Sequence, residues 1–210
     1  IVQVHDVGEE EGVYYISMEF VAGENLLEIL RERGVLDAAR AAEALRQVAE
    51  ALAYAHAHDL VHRDVKPENI ILAHDGAAKL ADLGIAKDLR QVASEDRPRE
   101  VLGTPLYLAP EAAQGRPPDA RADLYSLGAT FYHLLAGQAP FPGKSSTQIL
   151  RRHIHDPLRP LDVVEEIAQT LDEPAAGGVA VLAVDDLVAD VERAQPFEDF
   201  LLALLGLVLE

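Results

Sequence analysis

The sequence predicts an α+β fold, in which a few short strands accompany a larger set of helices. Apolar, β-prone runs at 1–7 and 13–20 flank an acidic turn and predict a hairpin. A second hairpin is predicted over 70–81, where an Asp75-Gly76 turn separates two short apolar runs. Two longer segments, 37–58 and 119–135, are instead apolar in the manner of helices.

The composition is that of a globular protein with an acidic balance. Of the 210 residues, 49% are apolar and 26% are charged, which is ordinary for a folded domain. The formal net charge of −18 argues against a nucleic-acid-binding surface. The chain has no cysteine, which excludes disulfides and thiolate metal sites and fits a cytoplasmic location.

The two ends of the chain differ from its middle. Residues 161–210 hold 12 Asp and Glu against one basic residue, Arg193. The apolar run at 200–209 has ten residues, whereas a membrane span needs about 20, so we expect an amphipathic or core helix, with a truncated span as the alternative. The chain begins within an apolar alternation and without a signal-peptide pattern, which indicates a fragment of a longer protein.

Boundary residues predict where the first helices begin and end. A short helix is expected from Asn25 to a C-terminal cap at Gly34, and a long alanine-rich helix follows, capped by Asp37. The long helix carries apolar residues at spacings of three and four, so one face is predicted to be buried. His56 and His58 lie near its end, two residues apart, and therefore do not face one site. We interpret both as surface or helix-terminal residues.

The later helices are predicted in the same way. Asp119 opens an apolar helix that Gly137 ends, and Ser145 begins another that continues to about His155. His153 and His155 are again two residues apart, and we interpret them as surface residues.

The stretch 62–69, His-Arg-Asp-Val-Lys-Pro-Glu-Asn, is the most informative part of the sequence. Asp64 can accept a proton, Lys66 can neutralise a phosphate, and Asn69 offers a carbonyl oxygen to a hard cation. This combination predicts a phosphoryl-transfer loop, because that reaction depends on positioning and charge neutralisation more than on covalent chemistry.

Three motifs make the chain resemble the serine/threonine protein kinases, in their bacterial form. The stretch 62–69 is similar to the catalytic loop of that family, His-Arg-Asp, four residues, Asn. Residues 82–84, Asp-Leu-Gly, resemble its Asp-Phe-Gly motif, and 103–111, Gly-Thr-Pro-Leu-Tyr-Leu-Ala-Pro-Glu, resemble the end of its activation segment. The resemblance covers residues 1 to about 160 and implies a protein-kinase-like fold.

The resemblance implies roles for five residues in transfer of the γ-phosphate of ATP to a protein hydroxyl. Asp64 would be the base that orients the hydroxyl, and Lys66 would contact the γ-phosphate. Asn69 and Asp82 would hold Mg²⁺, which prefers hard oxygen ligands. Thr104 would form a hydrogen bond near Asp64 and Lys66 and shape the site of the substrate hydroxyl.

The resemblance also implies a nucleotide pocket. Met18 would be the gatekeeper behind the adenine, in the hinge between the lobes. Backbone groups of Glu19 and Val21 would pair with the adenine edge, and Ile71 would form the floor of the pocket.

Other residues are expected to have structural or regulatory roles by the same resemblance. The ring of His62 would pack against the residue after Asp82. Arg63 would stay unpaired until a phosphate or an acid meets it, which suggests control by the activation segment. Ser94 is a candidate phosphorylation site within that segment.

Two buried acids are expected to support the site. Asp123 would accept hydrogen bonds from backbone amides of the catalytic loop. Glu111 would need an arginine partner, because a buried lone carboxylate is costly. Arg193 is the one basic residue of the tail, and the sequence does not place it against Glu111.

The motifs divide the chain into three parts. Residues 1–22 are expected to be the last strands of the N-lobe and the hinge, 23–160 the helical C-lobe, and 161–210 an acidic, apolar tail whose fold the pattern leaves open. The glycine-rich loop, the strand lysine and the glutamate of helix αC are not found, so the first three N-lobe strands and αC are expected to be absent.

Two alternatives to a serine/threonine protein kinase remain open. A kinase-like binding or regulatory module would account for the missing N-lobe elements, although Asp64, Asn69 and Asp82 argue against it. A small-molecule kinase of related fold would share the acid and the amide, but such enzymes usually lack the 104–111 segment. The expected partners are ATP and a protein substrate, with no nucleic acid and no support for membrane insertion, although the parent protein could carry an anchor.

Overall fold

A computed structural model of the chain describes residues 1–82 and 104–159. These two ranges contain five strands and five α-helices. The mixture of helix and strand predicted from the sequence is confirmed.

The strands form two small sheets. Strands β1 (Val4–Glu10) and β2 (Val13–Met18) form the predicted antiparallel hairpin, with an irregular register between Val4 and Asp6. Strands β3 (Gly23–Asn25), β4 (Ile70–Ala73) and β5 (Ala78–Leu80) form the second sheet in the order β3-β4-β5, and both of its pairings are antiparallel.

The segments beside the hairpin connect the two sheets. The amide of Val2 donates to the carbonyl of Leu80 at 2.8 Å, and the amide of Glu19 donates to the carbonyl of Gln3 at 2.9 Å. The Nζ atom of Lys79 on β5 lies 2.6 Å from the Glu19 carboxylate. These contacts hold the segment after β2 beside β5.

Gly23 is the first residue of strand β3. Its partner is β4, with Gly23 opposite Ala73. A Cβ atom added at Gly23 would lie 2.3 Å from the carbonyl oxygen of Leu72, so the two backbones approach too closely for any side chain here.

The first two helices begin and end where their caps predict. Helix α1 (Leu26–Arg33) begins with a capping box between Asn25 and Glu28, and Gly34 ends it with a φ of 80°. Helix α2 (Ala38–His56) begins at Asp37, whose side chain accepts from the Arg40 amide. The buried face of α2 consists of Ala41, Ala44, Leu45, Val48, Ala49, Leu52 and Ala55.

Three further helices follow in the second described range. Helix α3 (Pro110–Ala113) is a single turn that begins at a proline, α4 (Ala120–Ala136) runs through the core, and α5 (Ser146–His155) lies at the surface. Gly137 ends α4 in the left-handed conformation, with a φ of 69°, as its position predicts. Two 3₁₀ turns, Pro67–Asn69 and Pro105–Tyr107, flank the residues of the predicted site.

The core lies between α2, α4 and the second sheet. Its largest fully buried apolar side chains include Phe131, Leu26, Leu52, Ile70, Leu80 and Leu127. Helix α4 is buried around most of its circumference, which explains its apolar sequence. Across residues 1–82 and 104–159, no helix is both long and apolar enough for a membrane span.

The interpretation of His153 as a surface residue was wrong. His56 does lie at the end of its helix, which was one of the two positions expected of it, but it is partly buried. His153 is only 5% exposed, and the side chain of His56 is 16% exposed and contacts Asp123. His58 and His155 are exposed as expected. His153 and His155 differ because residues two apart on a helix point in different directions, whereas His58 is exposed because it lies beyond the end of α2.

Candidate active site

The stretch 62–69 crosses the molecule between the end of α2 and the start of β4. Val65 and Pro67 are buried and hold it to the core, and Pro67 begins the 3₁₀ turn with its φ already suited to a helical start. The polar side chains of this stretch therefore project from a backbone that packing keeps in one place.

Asp123, near the start of α4, holds this stretch through its backbone. The residue is 1% exposed. Its Oδ2 atom accepts from the His62 amide at 2.7 Å, and its Oδ1 atom accepts from the Arg63 amide at 2.7 Å. A third hydrogen bond joins Oδ2 to Nε2 of His56 at 2.8 Å. These bonds compensate the cost of burying the carboxylate.

The ring of His62 is fully buried and bridges the stretch to the end of β5. The Asp64 amide donates to Nδ1 at 3.3 Å, so Nδ1 is the acceptor and Nε2 carries the proton. Nε2 then donates to the carbonyl of Ala81 at 2.9 Å. The ring thus joins Asp64 to the residue immediately before Asp82.

Two residues of the site hold an unusual backbone conformation. Arg63 has a φ of 63° and Asp82 a φ of 56°, values at which residues other than glycine are uncommon. Such a conformation costs about 1–3 kcal/mol and persists where the surroundings determine it, commonly at functional sites. For Arg63, the hydrogen bond from its amide to Asp123 holds the backbone in this conformation.

Asp64, Lys66 and Thr104 form the polar centre of the site. The Nζ atom of Lys66 lies 3.0 Å from Oδ2 of Asp64 and 3.2 Å from Oγ1 of Thr104. All three residues line a small open pocket, which Tyr107 also borders. The arrangement places a carboxylate, an ammonium group and a hydroxyl around a space that a reacting hydroxyl can enter.

Asn69 and Asp82 are brought together on the neighbouring side. The Nδ2 atom of Asn69 donates to the Asp64 carbonyl at 2.8 Å, so Oδ1 is the side-chain atom that could act as a metal ligand. The Asn69 carbonyl accepts from the Ala81 amide at 2.7 Å, so Asp82 follows directly. An amide oxygen and a carboxylate are ligands suited to Mg²⁺. Across residues 1–82 and 104–159, no three His, Cys, Asp or Glu residues cluster to form a denser metal site.

The residues predicted to meet the adenine lie along β4 and the segment after β2. Ile71 is half-buried, whereas its neighbours Ile70 and Leu72 are buried on the opposite face of β4. The hydrogen bond from Lys79, followed by that from the Gln3 amide, lowers the pKa of the Glu19 carboxyl. Val21 is half-buried two residues further on.

Several predicted residues depend on parts of the chain outside the described residues. Ser94 lies there, as do the residue expected to pack on His62 and the candidate partner Arg193. Glu111 is half-buried in the first turn of α3. The regulatory role expected of the Arg63 side chain stays a prediction.

Sequence reasoning missed His56 and Lys79. His56 follows Leu52 by four residues and so shares its buried face of α2, a signal that the periodicity contained. Lys79 has no such signal, because its contact with Glu19 joins residues 60 positions apart. Only the pairing of β5 with the segment after β2 reveals it.

A comparison with protein families matches residues 1–205 to the model described as "Protein kinase domain". The match includes residues 161–205, where the sequence analysis found no family pattern.

The chain is also similar to several curated proteins. It is 40% identical over 176 residues to "Probable serine/threonine-protein kinase PknB" of Corynebacterium glutamicum, which covers 81% of this chain and 27% of the relative. It is 40% identical over 154 residues to "Serine/threonine-protein kinase PrkC" of Bacillus subtilis, covering 73% and 24%. For "Serine/threonine-protein kinase PknB" of Mycobacterium tuberculosis the identity is 38% over 178 residues, covering 82% and 28%. The chain thus spans about a quarter of the length of these relatives.

Proposed function

The chain belongs to the protein kinase family, and we propose that the protein containing it transfers the γ-phosphate of ATP to serine or threonine hydroxyls of a protein substrate. The observation that carries the proposal is the contact of Lys66 Nζ with both Asp64 and Thr104 in an open pocket. The relatives' names, each a serine/threonine-protein kinase, support the choice of substrate class.

In the proposed reaction, the substrate hydroxyl enters the pocket beside Asp64. The carboxylate of Asp64 orients the hydroxyl and receives its proton as the oxygen bonds to the γ-phosphorus. The bond between that phosphorus and the bridging oxygen breaks, and ADP leaves with the electron pair. Lys66 neutralises charge on the transferred group, and Thr104 keeps the Lys66 ammonium group at this position.

Asn69 and Asp82 are the residues that we propose to hold Mg²⁺. Their donor atoms are oxygens, and the bond between the Asn69 carbonyl and the Ala81 amide keeps the two residues adjacent. When bound, the ion would neutralise phosphate charge. Asn69 already donates to the Asp64 carbonyl, so the same side chain joins the metal ligands to the base.

We propose that the adenine lies between the hinge and β4. The contacts would be the backbone of Glu19 and Val21 at its edge and the side chain of Ile71 below it, with Met18 behind. The Lys79–Glu19 ion pair supports this assignment because it holds the hinge beside β5. In this reading, 1–22 belong to the N-lobe and 23–160 to the C-lobe, and the cysteine-free composition supports a cytoplasmic location.

The proposal is tested by replacing Asp64 with asparagine in the full-length protein. Transfer of phosphate from ATP to a peptide library containing serine and threonine is then measured by mass spectrometry. We expect kcat to fall by about 10²-fold or more, because loss of a general base typically removes that much. Asp59→Asn, an exposed Asp-to-Asn change five residues earlier, is the matched control and should leave the rate unchanged.

Nucleotide binding separates the proposal from the alternative of a binding module. Calorimetry with ATP, with and without Mg²⁺, should show tighter binding when the ion is present, and Asp82→Asn should remove that difference. Binding of ATP by a full-length protein that transfers no phosphate to any peptide would contradict the proposed activity and favour the module.

A further inference from the structure

The 3₁₀ turn at 105–107 directly follows Thr104 and is held between two helices. It contacts α4 on one side and α5 on the other. Because Thr104 contacts Lys66 at 3.2 Å, a movement of this turn would displace Thr104 and change its distance from Lys66. What holds the turn is therefore relevant to the substrate side of the pocket.

A tyrosine–histidine pair holds the turn to α4. The hydroxyl of Tyr107 lies 2.8 Å from Nδ1 of His133, and the two rings stack with their centroids 6.0 Å apart. Burial raises the pKa of the Tyr107 hydroxyl and lowers the pKa of His133. Both groups are therefore neutral near pH 7, and the Tyr107 hydroxyl donates to the ring nitrogen.

A second pair lies beneath the turn and involves α5. The Nδ1 atom of His153 lies 2.7 Å from the hydroxyl of Tyr125 on α4, and Phe141 packs edge-on against the ring at 4.8 Å. Ile149 and His153 are the two buried residues of α5. His153 is thus one of the two residues through which α5 packs against the core.

Helix α5, which carries His153, contacts the turn itself. Burial lowers the pKa of His153 to about 4, with the backbone of Leu106 and Pro105 acting in the opposite direction, so the ring is neutral near pH 7. Nε2 is buried and has no hydrogen-bond partner among the described residues, so the bond between Nδ1 and the Tyr125 hydroxyl is the one that joins the ring to α4.

We propose that His153 is a positioning residue for phosphate transfer, because by joining α5 to α4 it holds the two helices against the 105–107 turn and so keeps Thr104 against Lys66. The chain of contacts is Tyr125 to His153, both helices to the turn, and Thr104 to Lys66. This inference rests on the proposed function, because the reaction to be positioned is the one proposed above.

The test compares three variants of the full-length protein. His153→Ala removes both contacts of the ring, and Tyr125→Phe removes only the hydroxyl while keeping the aromatic ring. His155→Ala, an exposed histidine two residues away on the same helix, is the matched control. Peptide kinetics at saturating ATP, ATP kinetics at saturating peptide, and amide hydrogen exchange of 104–108 are measured for each.

Positioning and folding are separated by which constant changes. We expect His153→Ala to raise the peptide KM by about fivefold or more while the ATP KM stays within about twofold, because the hinge lies on the other side of the site. Tyr125→Phe should change the peptide KM in the same direction by a smaller factor. A purely structural loss would lower kcat through the amount of folded protein and leave the peptide KM unchanged.

Hydrogen exchange provides a readout that needs no catalysis. Exchange at 104–108 should become faster in His153→Ala and Tyr125→Phe but not in His155→Ala. Unchanged exchange in both variants, or faster exchange with an unchanged peptide KM, would overturn the proposal. If His153→Ala does not fold, Tyr125→Phe decides the matter. Absence of phosphate transfer in the unaltered protein would contradict the proposed function instead, and the exchange comparison would still show whether His153 holds the turn.

Discussion

At the residue scale, Asp123 connects three parts of the molecule through one buried carboxylate. Its oxygens accept from the amides of His62 and Arg63 and from the ring of His56. The two amides belong to the stretch that carries Asp64, so the position of the proposed base depends on a residue 59 positions further along the chain.

Replacing Asp123 with alanine should destabilise the fold strongly. Two buried backbone amides would lose their acceptor, and we expect the free energy of unfolding to fall by about 3–5 kcal/mol. Urea denaturation followed by circular dichroism measures it. Asp119→Ala, at the exposed start of α4, removes a helix cap and an exposed ion pair with Arg121 and should cost about 1 kcal/mol. Equal losses for the two variants would contradict the role given to Asp123.

Lys66 should matter for the reaction and not for stability. Lys66→Met keeps the length of the side chain but removes the charge, so we expect kcat to fall by about 10²-fold through lost stabilisation of the transferred phosphate. The affinity for ATP should change less, since the hinge contacts remain. Lys144→Met, at an exposed lysine before α5, is the control and should leave both constants unchanged. A normal kcat in Lys66→Met would remove Lys66 from the proposed mechanism.

At the element scale, the close approach of β3 and β4 depends on Gly23. In Gly23→Ala the new methyl group would meet the Leu72 carbonyl at 2.3 Å, so the strands must separate. We expect the free energy of unfolding to fall by about 1–3 kcal/mol, as for other overpacked sites. Thermal denaturation measures it.

Gly12→Ala is the comparison for that experiment. A methyl group there meets open space, but the φ of 80° disfavours alanine, so backbone strain alone should cost about 1 kcal/mol. A loss in Gly23→Ala no larger than in Gly12→Ala would show that the two strands can separate at little cost.

The ends of several helices could be predicted from residues next to each helix end. Caps at Asn25, Asp37 and Ser145 and the left-handed Gly137 all lie where the sequence predicts, because these signals act within one turn of the helix. Strand β3 has no comparable local signal. Three residues form a strand there because β4 is present to receive their hydrogen bonds.

At the scale of the whole molecule, His153 should make stability depend on pH. Its pKa is about 4 in the folded protein, against a model-peptide value of 6.5. Between about pH 6.5 and pH 4, His153 is therefore protonated in the unfolded chain but neutral in the folded chain. Its contribution to the free energy of unfolding is fully present above about pH 6.5 and declines as the pH falls towards 4. The contribution lost between pH 7 and pH 5 is about 2 kcal/mol.

Urea denaturation of the unaltered protein and of His153→Gln at pH 7 and pH 5 tests this expectation. Glutamine does not titrate, so the variant should lose about 2 kcal/mol less than the unaltered protein across that range. His155→Gln is the control and should follow the unaltered protein. Identical pH dependence in His153→Gln would show that His153 is not held neutral by the fold.

The chemistry of the candidate site was largely predictable, because its residues lie in short motifs. Asp64, Lys66 and Asn69 fall within six residues, and the structure brings Asp82 and Thr104 beside them. The support of the site was not predictable to the same extent. His56 and Lys79 act through contacts with residues 67 and 60 positions away, which no local pattern encodes.

The sequence alone determined the starts of helices α1, α2, α4 and α5, the two hairpins, the motif at 62–69 from which phosphoryl transfer is proposed, and the resemblance to the protein kinases. Each of these depends on residues that are neighbours along the chain or on motifs at a set spacing. Only the tertiary structure decided which histidine of each pair faces inward, that Gly23 must be a glycine in a strand, and that the turn after Thr104 is joined to α4 through Tyr107 and His133. Those outcomes depend on what lies across the core, because burial and hydrogen bonding are decided by the packed partner and not by the neighbouring residue.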